Sequence, residues 1–309
     1  MRVVFMGTPD YAAVTLKALI SAGYDICAVF CQPDKPVGRK RILTPPPVKV
    51  CAEENSLTVF QPETLRDGTA IEILKRLNPD IIVVVAYGKI LPKEILDIPR
   101  FGCVNAHASL LPKYRGASPI QWAIVNGESV TGVTTMYMDE GMDTGDILET
   151  VSVDIKPEET AEQLFYRLSI ISAELTVLTL DKIEKGTLKS RPQPSDGASY
   201  APIIKKEMAR LDFNKTADEL HNAVRGYYSW PCAFFELSGK RIKVIASRVG
   251  AATDKPAGTV VKADDELVIA CGGGTTLRLL EVQPEGGRVM TSKQMLCGNK
   301  IEPGTVIEG

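Results

Sequence analysis

The run Ile81-Ile82-Val83-Val84-Val85 constrains the fold more than any other stretch of the chain. Five β-branched residues in succession favour an extended strand. A strand with one face in water would alternate apolar and polar residues. Here both faces are apolar, which marks a central parallel strand covered on both sides. Such a strand needs neighbours of its own kind with helices between them, and the flanking chain supplies both. Short apolar runs at Arg2–Met6, Asp25–Cys31, Leu57–Phe60, Asp80–Ala86 and Gly102–Asn105 alternate with helical patterns around Ala70–Leu77 and Ser118–Val125. Thr8 is placed to cap a further helix, with Pro9 at its first position and Gly23 at its end. Strand and helix in repeating order predict an α/β, Rossmann-like, doubly wound parallel sheet. Ligands on such sheets bind at the carboxyl ends of the strands, near the point where strand order reverses.

Beyond this region the pattern changes. Glu159–Lys185 reads as one long amphipathic helix that Gly186 ends. Thr187–Pro202 is rich in Pro, Ser and polar residues, as a linker is. A short helix, Ala217–Gly226, precedes five short strands: Ala233–Leu237, Arg241–Val249, Gly258–Lys262, Leu267–Ala270 and Thr276–Val282. Gly272-Gly273-Gly274 falls between the last two and suits a hairpin turn, because no Lys-Ser/Thr pair follows it as in a phosphate loop. Short strands divided by Gly-rich turns predict a small OB-like β-barrel. The expected organisation is therefore residues 1–188 as the sheet domain, 189–206 as linker and 207–309 as the barrel domain.

Composition narrows the function. A 309-residue chain can bury two cores. Net charge is −2, so any nucleic-acid function must rest on a local basic surface. The chain has no run of 18 apolar residues, and no membrane partner is expected. Seven cysteines, with no CxxC pair, read as reduced thiols of a cytoplasmic protein. Oligomeric state leaves no mark in the sequence, and a monomer is the expectation.

Chemistry concentrates in two segments. One of only two histidines, His107, follows the fifth apolar run in Asn105-Ala106-His107. Residues two apart on an extended chain point the same way, so an amide and an imidazole would face one cleft. The second segment is Asp139-Glu140-Gly141-Met142-Asp143-Thr144-Gly145-Asp146. Its small residues let the chain turn tightly and present Asp143, which can orient and charge a histidine. Ordinary turn chemistry is the plainer reading. A divalent-metal loop is another, although the calcium-loop spacing does not fit and no metal is expected. Gly7-Thr8-Pro9-Asp10 is not a dinucleotide fingerprint, since Pro9 removes an amide that could cradle a pyrophosphate. The loop Gln32–Arg41 carries four cations and two prolines; it is either solvated surface or a clamp on an anionic partner such as an RNA end.

Asn105–Pro112 with Lys113-Tyr114-Arg115-Gly116-Ala117-Ser118-Pro119-Ile120, together with Gly141-Met142-Asp143-Thr144-Gly145-Asp146, resembles the signature of the formyltetrahydrofolate-dependent transferases. Met6–Asp10, the Gln32–Arg41 loop, Val84–Pro92 and the C-terminal pattern extend the resemblance from Arg2 to about Lys293. It implies a Rossmann-like domain followed by an OB-like one, with 10-formyltetrahydrofolate as formyl donor and initiator methionyl-tRNA as acceptor. By resemblance Asn105, His107 and Asp143 are the catalytic residues. Ser109, Leu110, Leu111 and Pro112 contact folate, and Arg39 contacts the tRNA. The tail after Met295 resembles the family less and is thin in basic residues, with only Lys300. Two alternatives stay open: formyl transfer to an amino sugar or ribosyl amine (or hydrolysis of the donor), and a non-catalytic RNA-binding protein.

Overall fold

A computed structural model describes residues 1–38, 40–298 and 301–307. Arg39 and Lys300 therefore lie outside the described residues. The chain forms two compact units. The first holds Met1–Pro119, Val130–Val153 and Phe165–Ala201; the second holds Ile120–Ser129, Asp154–Leu164 and Pro202–Gly309.

The elements of the first half run β1 (Arg2–Gly7), α1 (Asp10–Ser21), β2 (Asp25–Phe30), β3 (Lys35–Val37), β4 (Ile42–Thr44), α2 (Pro47–Glu54), β5 (Val59–Phe60), α3 (Thr69–Leu77), β6 (Ile81–Val85), α4 (Lys93–Leu96), β7 (Cys103–His107) and β8 (Arg115–Gly116). They continue with α5 (Pro119–Val125), β9 (Val130–Tyr137), β10 (Ile147–Asp154), α6 (Ala161–Glu184) and β11 (Tyr200–Ala201). The main sheet has the order β10-β9-β7-β6-β1-β2-β5. Strands β5, β2, β1, β6 and β7 are parallel, and β9 runs antiparallel to β7. Every residue of β6 is buried, as its two apolar faces require. Val4, Met6, Phe30, Ile82, Val84, Leu74, Tyr87 and Ile95 pack one face of the sheet. Strand order reverses between β1 and β6, so the crevice lies at Gly7-Thr8 and Ala86-Tyr87, with β7 next in line.

Side chains weld that carboxyl edge. The Thr8 hydroxyl donates to the Tyr87 carbonyl at 3.0 Å. The Gln32 amide donates to the carbonyls of Tyr87 and Gly88, each at 3.2 Å. Thr8 was expected to cap α1, but its hydroxyl is spent on Tyr87 and the cap position is Pro9, which makes no side-chain cap bond. Gly7 admits no larger residue, because an added Cβ would lie 2.6 Å from the Ala12 Cβ and 2.9 Å from the Val85 carbonyl oxygen.

The second unit contains a short 3₁₀ turn (Lys206–Ala209), α7 (Ala217–Gly226), β12 (Phe234–Leu237), β13 (Lys240–Val249), β14 (Val260–Ala263), β15 (Leu267–Cys271), β16 (Thr275–Pro284), β17 (Met290–Thr291) and α8 (Ser292–Gly298). Its sheet is antiparallel in the order β12-β13-β16-β15-β14, with β17 on β16. Register shifts at Val244/Ala246 and Val260/Lys262 bend the strands, which curls the sheet into the OB-like half-barrel expected. Phe213, Leu220, Phe235, Val244, Leu267 and Leu279 fill it. Thr216 and Glu219 close a capping box on α7. The Gly-rich segment 272–274 is the β15–β16 turn.

Three stretches add detail to the expected organisation. The stretch expected as linker is built into the first unit as far as Ala201, where β11 pairs in parallel with β8. Ile120–Ser129 and Asp154–Leu164, expected within the sheet domain, group with the second unit. Within the expected loop Gln32–Arg41, Lys35–Val37 forms β3, which pairs antiparallel with β4 just beyond it. No helix among the described residues is long and apolar enough to cross a membrane. All seven cysteines are free, and burial pushes the Cys103 thiol up to about 12.

Candidate active site

Asn105 and His107 stand on β7, two residues apart and both buried, at the carboxyl edge of the sheet. The β6 register opposite Asn105 is Val84, which places both residues one strand from the crevice. Asp143 arrives from the β9–β10 connection. That turn is folded by Asp139, whose Oδ1 accepts from the Gly141 amide at 3.0 Å and the Thr144 hydroxyl at 2.7 Å. A Cβ on Gly145 would sit 1.9 Å from the Tyr137 carbonyl oxygen, so the turn needs glycine there. Asp143 itself has φ +54, the left-handed region that L residues enter at a cost.

The three side chains meet. Asn105 Nδ2 donates to Asp143 Oδ1 at 3.3 Å, and His107 Nδ1 stands 3.6 Å from Asp143 Oδ2. The Gly116 amide donates to the same Oδ2 at 2.8 Å. On its far side His107 Nε2 lies 2.8 Å from the Tyr114 carbonyl oxygen, an acceptor, so Nε2 carries a proton. Both ring nitrogens thus face oxygen acceptors in the resting protein. A histidine that also serves a reacting oxygen must exchange one of these partners for it. Asn105 is better placed at rest, because only one of its two N–H groups is given to Asp143.

The Ser109–Pro112 segment continues directly from β7. The Ser109 side chain is fully buried and donates to the Lys113 carbonyl at 2.6 Å. Leu111 packs with Met136 and Ile147. Those two side chains face protein, so the segment can offer a ligand its backbone, Leu110 and Pro112. Thr134 locks the segment in place, donating to the Ser109 carbonyl at 2.7 Å and accepting from the Leu111 amide at 3.2 Å. Arg39 falls outside the described residues; its neighbours Val37, Ile42 and Leu43 are 57%, 62% and 65% exposed, which leaves the hairpin without an apolar seat of its own.

Sequence reasoning did not find the groups that hold Asp143 and His107. The Tyr114 carbonyl and the Gly116 amide are backbone atoms, which carry no residue-type signal. Gln193, which bonds the Asp143 turn, lies in the stretch that reads as a linker.

The Formyl transferase family matches residues 1–180, and its C-terminal domain matches residues 203–300. The methionyl-tRNA formyltransferase of Thermodesulfovibrio yellowstonii is 48% identical over 302 residues, covering 98% of this chain and 97% of its own. That of Lachnospira eligens is 48% identical over 314 residues, covering 99% of both chains. Among solved structures, an N-formyltransferase from Helicobacter canadensis in complex with folinic acid and dTDP-3-aminofucose superposes with a TM-score of 0.70 at 21% identity, covering 90% of this chain and 98% of its own. HypX from Aquifex aeolicus with tetrahydrofolic acid superposes with a TM-score of 0.61 at 17% identity, covering 96% of this chain and 47% of its own. At such identities the two structures show a shared fold. The identity shared with the curated relatives along almost the whole length shows more: the chain belongs to the formyl transferase family, among the methionyl-tRNA formyltransferases.

Proposed function

We propose that Asn105, His107 and Asp143 carry the transfer of a formyl group from 10-formyltetrahydrofolate to the free amino group of methionine on initiator methionyl-tRNA. The observation that carries this reading is the convergence of an amide, an imidazole and a carboxylate at the carboxyl edge of β7. Membership of the formyl transferase family supports a formyl group as what they act on. The neutral amine attacks the formyl carbon, and the carbonyl oxygen becomes an oxyanion. The second N–H of Asn105 donates to that oxygen. His107 gives up one of its protein acceptors to donate as well, a rearrangement expected of catalytic hydrogen bonds that tighten only with substrate bound. The attacking nitrogen loses a proton and the departing folate nitrogen gains one; His107, held by Asp143, relays it.

The backbone of the Ser109–Pro112 segment, with Leu110 and Pro112, is the folate-facing wall beside β7. The β3–β4 hairpin, with Lys35, Lys40 and Arg41 exposed and Arg39 between them in sequence, is the tRNA contact of the first unit. The activity test is formylation of charged initiator tRNA with 10-formyltetrahydrofolate, with free methionine and an amino sugar as control acceptors. Formylation of the charged tRNA alone supports the reading. Preference for the amino sugar would assign the chain to a sibling chemistry, and no transfer to any acceptor would reject it.

A further inference from the structure

The segment from Arg191 to Ala201 has the composition of a linker and the contacts of an active-site strap. The Arg191 amide and carbonyl pair with the Ile147 carbonyl and amide at 2.9 and 2.8 Å, at the start of β10. The Ser199 carbonyl accepts from the Arg115 amide at 2.8 Å, and its hydroxyl accepts from the Tyr114 amide at 2.9 Å. The Ala201 carbonyl accepts from the Ala117 amide at 2.9 Å. The strap therefore grips both pieces that touch the catalytic side chains: the Asp143 turn, and the segment whose Tyr114 carbonyl meets His107 and whose Gly116 amide meets Asp143.

Gln193 sits between them. Its Oε1 accepts from Arg115 Nε at 3.1 Å and Nη2 at 2.6 Å. Its Nε2 donates to the carbonyls of Asp143 and Gly145, each at 2.8 Å. The amide cannot be turned over, because its N–H groups would then face a guanidinium and its oxygen two carbonyls. Only a side chain with an acceptor and a forked donor on one planar group satisfies both sides. The two carbonyls it holds mark the two ends of the Asp143–Gly145 turn, at whose first residue, Asp143, the backbone is in the left-handed region. A turn held in that conformation needs outside contacts to fix it.

We propose that Gln193 is a positioning residue for catalysis: its amide ties the Asp143–Gly145 turn to Arg115 and so sets the Asp143 carboxylate against Asn105 and His107. This rests on the catalytic reading of Asp143 given above. The test measures kcat and both KM values on the full chain, with 10-formyltetrahydrofolate and charged initiator tRNA, for wild type, Gln193→Ala, Gln193→Glu, Asp143→Ala and the double variant Asp143→Ala/Gln193→Ala. Misplacing a reacting group by about 1 Å can cost up to roughly 10²-fold, so Gln193→Ala should lower kcat by about 10- to 100-fold with both KM values little changed. Gln193→Glu keeps the Arg115 contact but sets a carboxylate oxygen against two carbonyls, and should lose at least as much. In the Asp143→Ala background, adding Gln193→Ala should change kcat by less than about twofold, because residues acting through one group are not additive. A purely structural role would lower kcat by the same factor in both backgrounds. Thermal unfolding of each variant accompanies the kinetics, and if Gln193→Ala fails to fold, Gln193→Glu carries the comparison. Wild-type kcat in the folded Gln193 variants, or a full extra loss in the Asp143→Ala background, overturns the proposal alone. A wild-type enzyme inactive on charged tRNA overturns the functional reading and this proposal with it.

Discussion

At the scale of single residues, the site is built by sharing acceptors. Asp143 takes hydrogen bonds from Asn105 and the Gly116 amide and still faces His107. Asp143→Asn would replace one acceptor oxygen with an N–H facing a donor, so the turn and the imidazole lose their common anchor. Its expected cost, like that of Asn105→Ala, is the cost of removing one oxyanion or proton-handling group, about 10²–10³ in single-turnover rate. Rapid-quench measurement at saturating substrates checks this, with circular dichroism to confirm the fold; a loss below tenfold in either variant would remove that residue from the mechanism. Asn105 and His107 were legible as a pair because a strand alternates its faces and the chain has only two histidines. Asp143 was legible from the small residues around it. Their supports were not, for a physical reason. The Tyr114 carbonyl and Gly116 amide are backbone groups, and Gln193 acts 50 residues from Asp143 through a contact that no local pattern encodes.

At the scale of elements, β6 and α7 stand where their patterns predict, because complete burial and a capping box each write themselves into local sequence. Strand β9 was not placed, although six of its eight residues are buried. Three of those are threonines, Thr131, Thr134 and Thr135, which read as polar surface. Their burial is permitted by partners far along the chain: Thr134 bonds Ser109, and Thr135 bonds Thr179 at 2.8 Å. The β3–β4 hairpin shows the opposite case, where apolar residues are exposed. Val37, Ile42 and Leu43 beside Lys35, Lys40 and Arg41 suit a partner that is anionic and also offers ring faces, as the end of a tRNA does. Arg39→Ala should weaken tRNA binding and leave folate binding unchanged. Each lost phosphate contact removes about 0.9 from the slope of log affinity against log salt, so that slope should fall by about one contact. Fluorescence titration of tRNA across a salt series reads it, and an unchanged slope would return the hairpin to solvated surface.

At the scale of the whole molecule, the chain passes between its two compact units several times, at Pro119/Ile120, Ser129/Val130, Val153/Asp154, Leu164/Phe165 and Ala201/Pro202. A cut after residue 190 therefore removes Gln193 and Ser199 from the first unit as well as most of the second. A fragment 1–190 should bind folate poorly; isothermal titration giving full-length affinity would show that the strap is dispensable for that site. In the second unit His221 accepts or donates at Ser247 Oγ, 3.1 Å away. Burial, with Arg225 nearby, holds its pKa below the usual 6.5, against the weaker upward pull of Glu158 and Asp218. The folded state then binds this proton less readily than the unfolded chain. Stability from neutral His221 is present above pH 6.5 and is lost as pH falls from 6.5 through the folded value. The melting temperature should fall across that window, and His221→Gln should flatten the fall; an identical pH profile in the variant would assign it to other groups. The central claim, that these three residues transfer a formyl group to methionyl-tRNA, is tested most directly by single-turnover formylation of charged initiator tRNA by wild type and His107→Ala. Rapid transfer by wild type is expected, with a rate lower by about 10²-fold or more in the variant and the fold intact. A His107→Ala enzyme that formylates charged tRNA at the wild-type rate would contradict it.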